Sequence, residues 1–212
     1  MFISFEGMDG SGKTTQIQLT ADYLTTNGYD VLTVREPGGT DIGDRIRSIL
    51  LDHKQGEHDL IPRAELLLFC ASRAQLIEQV ILPHLQDGGV VLCDRFIDST
   101  YAYQGYGHGL NLKALKQIIT FATNGLVPDL TFYLNIAPHE GINRRAQGSQ
   151  SGQEWNRLDA MDMSFHERVY KGYRDLVLAE PARFAEIQAA ADIHTIQMNI
   201  RHTLVEWLRL PF

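Results

Sequence analysis

A lysine and a threonine close the glycine-rich octapeptide Gly7-Met8-Asp9-Gly10-Ser11-Gly12-Lys13-Thr14, which fits G-x-x-x-x-G-K-[ST] at every fixed position. The chemistry such a loop can do is phosphate binding. Glycines let the backbone wrap a phosphate chain with its N–H groups turned inward, and a helix N-terminus behind them adds positive potential. Lys13 would reach the β- and γ-phosphates, and the Thr14 hydroxyl would ligate Mg²⁺. The flanks suit this device: Phe2-Ile3-Ser4-Phe5-Glu6 alternates as a short strand, and Thr14 to Leu24 carries helical spacing.

Further residues suit charged or planar ligands. Val90-Val91-Leu92-Cys93-Asp94-Arg95 is an apolar strand ending in a carboxylate and a guanidinium. At that strand tip Asp94 is placed to hold Mg²⁺, directly or through water, and Arg95 offers a planar fork to phosphate oxygens. Arg35-Glu36-Pro37-Gly38-Gly39-Thr40 follows another strand in the same way; Arg35 is a second phosphate candidate and Arg47, on the next helix, a third. Phe69 and Arg73 lie four apart on a helix and share a face, so a ring and a guanidinium can stack on a base and bond its edge. Ser99-Thr100-Tyr101-Ala102-Tyr103-Gln104-Gly105 supplies hydroxyls, an amide and rings, the inventory that a base and a sugar require. Gln147 to Glu154 is polar and glycine-containing, flanked by Arg144, Arg145 and Arg157, and reads as a lid that brings arginines onto phosphates.

The elements that must position these groups alternate along the chain. Strands are expected at Phe2–Glu6, Val31–Arg35, Val90–Asp94, Leu130–Asn135 and Ile193–Ile196. Helices are expected at Thr14–Thr26, Ile42–Leu51, Arg63–Leu82, Leu112–Asn124, His139–Ala146, Asp162–Ala179 and Arg201–Leu208. Short, apolar, β-branched strands are those of a parallel sheet covered on both faces. The expectation is therefore an α/β, doubly wound, five-stranded parallel sheet, with ligands outside the carboxyl ends of its strands. A single domain over 1–212 with a lid at about 141–160 is the simplest organisation for 212 residues.

Composition narrows the partners. The formal charge of −7 argues against a broad nucleic-acid or membrane-surface role, both of which need a basic field. The positive charges must instead be concentrated locally. Hydrophobic residues at 44% and charged residues at 21% are those of an ordinary globular protein. Cys70 and Cys93 have no C-x-x-C spacing and are expected as reduced, buried thiols of a cytoplasmic protein. No run of eighteen consecutive apolar residues and no basic-then-apolar leader is read, so neither membrane spanning nor secretion is expected. The histidines are scattered and suggest no zinc site.

These residues leave several activities open. One is a small P-loop kinase acting on a nucleoside or a monophosphate; another is a nucleotide-driven switch, although no guanine-reading Asn-Lys-x-Asp occurs; a third is an ATPase without an acceptor. Taken together and in order, the segments resemble the thymidylate kinase family. The residues that carry the resemblance are Gly7–Thr14, Arg35–Thr40, Phe69 with Arg73, Asp94-Arg95-Phe96, Tyr103-Gln104-Gly105, Pro128-Asp129-Leu130-Thr131 and Asn156-Arg157-Leu158-Asp159. The bacterial form is the nearer one: Gly10 stands where other forms have a P-loop arginine, and lid arginines substitute. The lid departs from that form in being longer, with glutamine and serine in its middle.

The resemblance implies transfer of the γ-phosphoryl of ATP to dTMP with Mg²⁺. It implies ATP contacts along Gly7, Met8, Asp9, Gly10, Ser11, Gly12, Lys13, Thr14 and Thr15. It also implies that Phe69 stacks on thymine, Arg73 bonds a carbonyl, and Gln104 with Thr100 reads the remaining edge. Asp9 would hold the sugar 3′-hydroxyl and Tyr103 would occupy the place of a 2′-hydroxyl. Arg47 and Arg95 would bind the dTMP phosphate, with Arg35, Glu36 and Pro37 shaping that pocket and a cis bond before Pro37. Arg144, Arg145 and Arg157 would supply phosphate contacts from the lid. A homodimer built through helix packing is implied as well.

Overall fold

The computed structural model describes residues 1–51, 60–150 and 155–208. Five strands, β1 (Phe2–Glu6), β2 (Val31–Arg35), β3 (Val90–Asp94), β4 (Leu130–Asn135) and β5 (Phe184–Gln188), form one parallel sheet in the order β2-β3-β1-β4-β5. Register aligns the carboxyl ends: Asp94 lies opposite both Phe5 and Arg35, and Glu6 opposite Tyr133. The residues that follow β1, β2 and β3 therefore emerge along one rim.

Side chains of each strand alternate between two cores, as the period of two requires. Ile3, Phe5, Val90, Leu92, Phe132 and Leu134 face one core. It is covered by α1 (Lys13–Thr26) through Ile17, Ala21 and Leu24, and by α9 (Ile193–Leu208) through Ile196, Ile200 and Leu204. The four-residue spacing of the α9 positions is a single helical stripe. Phe2, Val91 and Cys93 face the opposite core with Leu66, Cys70 and Leu76 of α3 (Pro62–Leu76) and Leu115 and Ile119 of α6 (Leu112–Thr123). Tyr133 joins a third cluster with Tyr103, Phe165, Val169 and Tyr173, the last three on α8 (Met163–Ala179). Cys70 and Cys93 are buried free thiols.

Several expected elements differ. Ile193–Ile196 is the first turn of α9, not a strand, and α9 thus begins well before Arg201. The β-branched run suggested a strand, but Asp192 caps a helix there, accepting from the Thr195 N–H at 3.0 Å and from its hydroxyl at 2.6 Å. The fifth strand is Phe184–Gln188, an edge strand in which only Phe184 and Ile187 are buried. The helix expected as Arg63–Leu82 comprises α3, a π-helical turn over Ile77–Ile81, and α4 (Leu82–Gln86). This 25-residue run has the length and composition of a membrane span. Its buried face nevertheless includes Glu65 and Arg73, both with ionic partners inside the fold. After β3, α5 (Ile97–Thr100) and a π-helical segment, Tyr101–Gly107, occupy a stretch for which no helix was expected. The helix expected as His139–Ala146 extends over Pro138–Gln150 as α7, so Gln147 and Gly148 of the expected lid loop are helical, while 151–154 lie outside the described residues.

Candidate functional site

The phosphate loop follows β1 directly. Gly7, Gly10 and Gly12 adopt φ of 141°, 80° and 90°, conformations open to glycine. At Gly10 the requirement is also one of space: a Cβ there would lie 2.1 Å from the Gly141 carbonyl oxygen of α7. The loop and the first turns of α7 thus touch backbone to backbone. Gly12 precedes α1 without a side-chain cap, and no acidic residue occupies the first turn. The helix N-terminus keeps its N–H groups for an anion. Lys13 folds back on the loop, donating to the Gly7 carbonyl at 3.1 Å and the Met8 carbonyl at 2.9 Å. Burial, with Arg95 nearby, pulls its pKa down to about 8 against the pull of Asp9, Asp94 and Glu6. Its charge is therefore held where the fold disfavours it, as a lysine kept for an anionic ligand would be.

At the tip of β3, the Thr14 hydroxyl donates to Asp94 Oδ2 at 2.8 Å. Thr14 is exposed and Asp94 half-buried. A hydroxyl beside a carboxylate is the hard-oxygen pair that suits Mg²⁺, which takes one or two protein ligands and completes its shell with phosphate and water. Among the described residues no cluster of three or more His, Cys, Asp and Glu is placed to hold a metal. Next to Asp94, Arg95 has φ 71°, left-handed for a non-glycine residue. Its backbone N–H donates to Phe5 O at 3.0 Å and so ties the turn to β1.

The Arg95 guanidinium donates to Asp9 Oδ1 at 2.7 Å, to the Ser99 hydroxyl at 3.0 Å and to the Tyr173 hydroxyl at 3.2 Å. Tyr103 donates to the other Asp9 oxygen at 3.1 Å. Burial pushes the Asp9 carboxyl up, but Arg95 and Lys13 outweigh it and hold the group well below the usual carboxylate range. Asp9 is thus a fixed anion in a crowded cationic site.

Beneath this lies Glu6, which the sequence reading passed over. It accepts from the Phe96 N–H at 2.7 Å, the Ser99 hydroxyl at 2.6 Å and the Tyr173 hydroxyl at 2.9 Å. A lone carboxylate ending an otherwise buried strand was the available signal; Ser99 stood within a segment already singled out, and Tyr173 offered none. Burial and the neighbouring Asp98 push the Glu6 carboxyl up to about 7, against hydrogen bonds from Ser99 and Phe96 and the charge of Arg95. Because the folded value exceeds the unfolded 4.5, the folded state holds this proton more tightly. The stabilisation is fully present below pH 4.5 and is lost as pH rises through about 7. The melting temperature of the wild type relative to Glu6→Gln should accordingly fall between pH 4.5 and 7; two parallel curves across that range would contradict the assignment.

A group of buried polar residues lies near Arg95 along a shared cleft. Arg73, 1% exposed, makes a bidentate pair with Glu36: Nε to Oε1 at 3.0 Å and Nη2 to Oε2 at 2.5 Å. It also donates to the Thr100 hydroxyl and the Phe96 carbonyl, each at 3.0 Å. Burial raises the Glu36 carboxyl despite the charge of Arg73. Phe69 is half-buried one turn before Arg73. Gln104 Nε2 donates to Glu65 Oε1 at 2.6 Å. Arg47 donates to the Pro37 carbonyl at 2.9 Å, and the Glu36–Pro37 bond is cis.

One cleft of about 1040 Å³ joins these parts. From the loop it is lined by Asp9, Gly10, Gly12, Lys13, Thr14 and Thr15, with Gly7, Met8 and Ser11 buried behind them. Arg35, Glu36, Pro37 and Arg47 line one wall; Phe69, Arg73, Thr100, Tyr103 and Gln104 line another, and Asp94 and Arg95 lie between. Of the three lid arginines, Arg144 and Arg145 line the cleft. Arg144 donates to Ala189 O at 2.8 Å and pairs with Glu140 at 2.5 Å; Arg145 pairs with Asp159 at 3.1 Å. Arg157 is not brought to the cleft wall and pairs instead with the buried Glu65. Glu65 was not singled out from sequence, and Asp159 only as the end of the stretch Asn156-Arg157-Leu158-Asp159. Glu65 could have been: it is an acid preceding the apolar Leu66–Phe69, eight residues before Arg73 on the same face.

The family model described as thymidylate kinase matches residues 5–200. The thymidylate kinase of Roseiflexus sp. (strain RS-1) is 49% identical over 208 residues, covering 94% of this chain and 91% of the relative. That of Chlorobium luteolum is 46% identical over 211 residues, with 97% of each chain covered. The crystal structure of thymidylate kinase from Ehrlichia chaffeensis aligns with a TM-score of 0.76 at 33% identity, covering 96% of this chain and 98% of that one. A phosphate loop, an Asp-Arg strand tip and a buried arginine pocket thus share one cleft in a chain similar over nearly its whole length to these relatives, and it belongs to the thymidylate kinase family.

Proposed function

We propose that the protein is a nucleoside monophosphate kinase that transfers the γ-phosphoryl of ATP to dTMP, giving dTDP and ADP. The observation that carries this reading is the continuity of one cleft from the phosphate loop to Phe69 and the buried polar groups of Arg73, Thr100 and Gln104. ATP would lie along the loop with its phosphates over Lys13 and the α1 N-terminus. The thymine would stack on Phe69, with Arg73, Thr100 and Gln104 along its edge. Arg95, Arg47 and Arg35 would face the dTMP phosphate. Asp9 would accept from the sugar 3′-hydroxyl, and Tyr103 would fill the space that a ribose 2′-hydroxyl needs.

The acceptor is a phosphate oxygen, already ionised at neutral pH, so no group need remove a proton from it. The barrier lies in bringing two polyanions into line without water. Repulsion between unit charges about 4 Å apart is roughly 4 kcal/mol at an effective dielectric of about 20. Lys13, Arg95 and the α7 arginines offset it by presenting fixed positive charge to the transferring group. Thr14 and Asp94 would hold Mg²⁺, which when bound neutralises charge on the β- and γ-phosphates. Of the lid arginines, Arg144 and Arg145 are assigned to the phosphates, since they line the cleft; Arg157 is assigned to structure, through Glu65. The direct contact between Gly10 and Gly141 makes the position of α7 depend on the loop that grips phosphate. Closure of this lid would keep water from the γ-phosphate.

The reading extends to a homodimer, with Ile42 and Ile49 on α2 (Asp41–Leu51) and Leu67 on α3 as exposed apolar surface, and to the cytoplasm, where buried thiols stay reduced. A coupled assay of ADP release across the nucleoside monophosphates and thymidine tests the central claim. The expected result is ADP release strictly dependent on dTMP, with dTDP formed in equal amount. Preference for thymidine, or ADP release indifferent to the acceptor, would refute it.

A further inference from the structure

Resting on that reading of the base pocket, we propose that Glu65 is a positioning residue for base selection: it fixes the Gln104 amide so that the carbonyl oxygen faces the ligand, and thereby selects a pyrimidine that carries a ring N–H. Glu65 lies on α3 four residues before Phe69 and eight before Arg73, on the helix face that builds the base pocket. It does not line the cleft itself and is fully buried. Burying a carboxylate is costly unless donors surround it. Two donate to it, Gln104 Nε2 to Oε1 at 2.6 Å and Arg157 to Oε2, and His108 Nε2 lies 3.3 Å from Oε1.

The direction of the Gln104 amide follows from chemistry. An ionised carboxylate only accepts hydrogen bonds, so only the amide NH₂ can face it. Burial pushes the Glu65 carboxyl up, but the adjacent His108, the charge of Arg157 and the bond from Gln104 outweigh it and keep the group ionised. Rotating the Gln104 amide by half a turn would set oxygen against oxygen. With its nitrogen engaged, the amide of Gln104, a cleft-lining residue, presents Oε1 to a ligand. That oxygen accepts from the N3–H of thymine or uracil; cytosine carries a lone pair at the same position and is repelled. The arrangement cannot separate thymine from uracil, which share the N3–H.

Glu65→Gln tests this in the full-length protein. The new amide keeps one acceptor oxygen, which Arg157 claims, and turns its NH₂ toward Gln104; the Gln104 amide is then free to reverse. The probe is 5-methyl-dCMP, which keeps the methyl group but carries a lone pair in place of N3–H and an amino group in place of the O4 carbonyl. In wild type its kcat/KM should be about tenfold or more below that of dTMP, since its N3 lone pair meets a buried acceptor. In Glu65→Gln, where the Gln104 amide can turn its NH₂ to that lone pair, the penalty should shrink by about threefold or more. The exchange Glu65→Gln/Gln104→Glu makes residue 104 accept from either oxygen and should restore the penalty, and it serves equally if the single variant does not fold. A purely structural role for Glu65 would lower the melting temperature and both kcat/KM values together, leaving their ratio at the wild-type value, and that result overturns the proposal. So does an exchange variant in which the penalty stays lost. Absence of any penalty in wild type would instead remove the base-pocket reading on which the proposal stands.

Discussion

Replacing Lys13 by alanine should lower kcat by roughly a thousandfold or more, the scale of removing a single cation from phosphoryl-transfer sites, with little change in the melting temperature. The two halves of this expectation have different origins. The loss of rate follows from position: the ammonium is buried in the phosphate loop beside Met8 O and Gly7 O, where the charge on a β–γ bridge would develop. Survival of the fold follows from electrostatics. Burial and Arg95 pull the lysine down to about 8 from 10.5, so the folded state disfavours its charge, and stability from this group rises as pH climbs from about 8 toward 10.5. Removing such a charge relieves the folded state, while the carboxylates of Asp9 and Asp94 lose a neighbour. The two effects oppose. Steady-state kinetics with dTMP and ATP, run beside a thermal melt, measures both; normal dTDP production by the variant would defeat the assignment of the loop.

Arg73→Ala should raise the KM for dTMP by about tenfold or more and leave the KM for ATP within about twofold, and it should also destabilise the protein. Arg73 and Glu36 are both nearly inaccessible, and their bidentate contact is the main compensation for two buried charges. Truncating one partner strands the other, and breaking a buried pair in this way costs about 3–5 kcal/mol. A lower melting temperature is therefore expected of the single variant for reasons unrelated to the ligand. Glu36→Gln/Arg73→Gln separates the causes by removing both charges: stability should recover substantially, while weak binding of dTMP should persist. Equal losses for dTMP and ATP in both variants would show that Arg73 supports the whole cleft and does not read a base.

The distinction between Arg95 and Arg73 has the same physical basis. Both are buried guanidiniums with carboxylate partners, yet Arg95 is joined to Asp9 of the phosphate loop and Arg73 to Glu36 behind the base pocket. On the proposed reading the first would contact phosphates and the second the base. Glu6, Ser99 and Tyr173 form a polar floor under Arg95, and this floor accounts for a left-handed arginine being held in one orientation.

What could be read from the chain alone was whatever depends on local order. Gly7 to Thr14 specify a phosphate loop because spacing, glycine freedom and a following helix all act within a few residues. The strands Phe2–Glu6, Val31–Arg35, Val90–Asp94 and Leu130–Asn135 were legible from their apolar runs, and with them the rim on which Arg35, Asp94 and Arg95 stand. Ile193–Ile196 was misread because a β-branched run is compatible with either element, and only the Asp192 cap and the burial of Ile196, Ile200 and Leu204 against α1 decide for a helix. The partners of the site residues were invisible for a further reason. Glu65 with Arg157, Arg73 with Glu36, and Glu6 with Tyr173 are separated by 92, 37 and 167 positions, and no pattern in a single chain encodes which distant charges will meet. That is decided when the sheet order brings β1 between β3 and β4 and closes α3, α7 and α8 around one rim, where burial favours the pairing of distant charges.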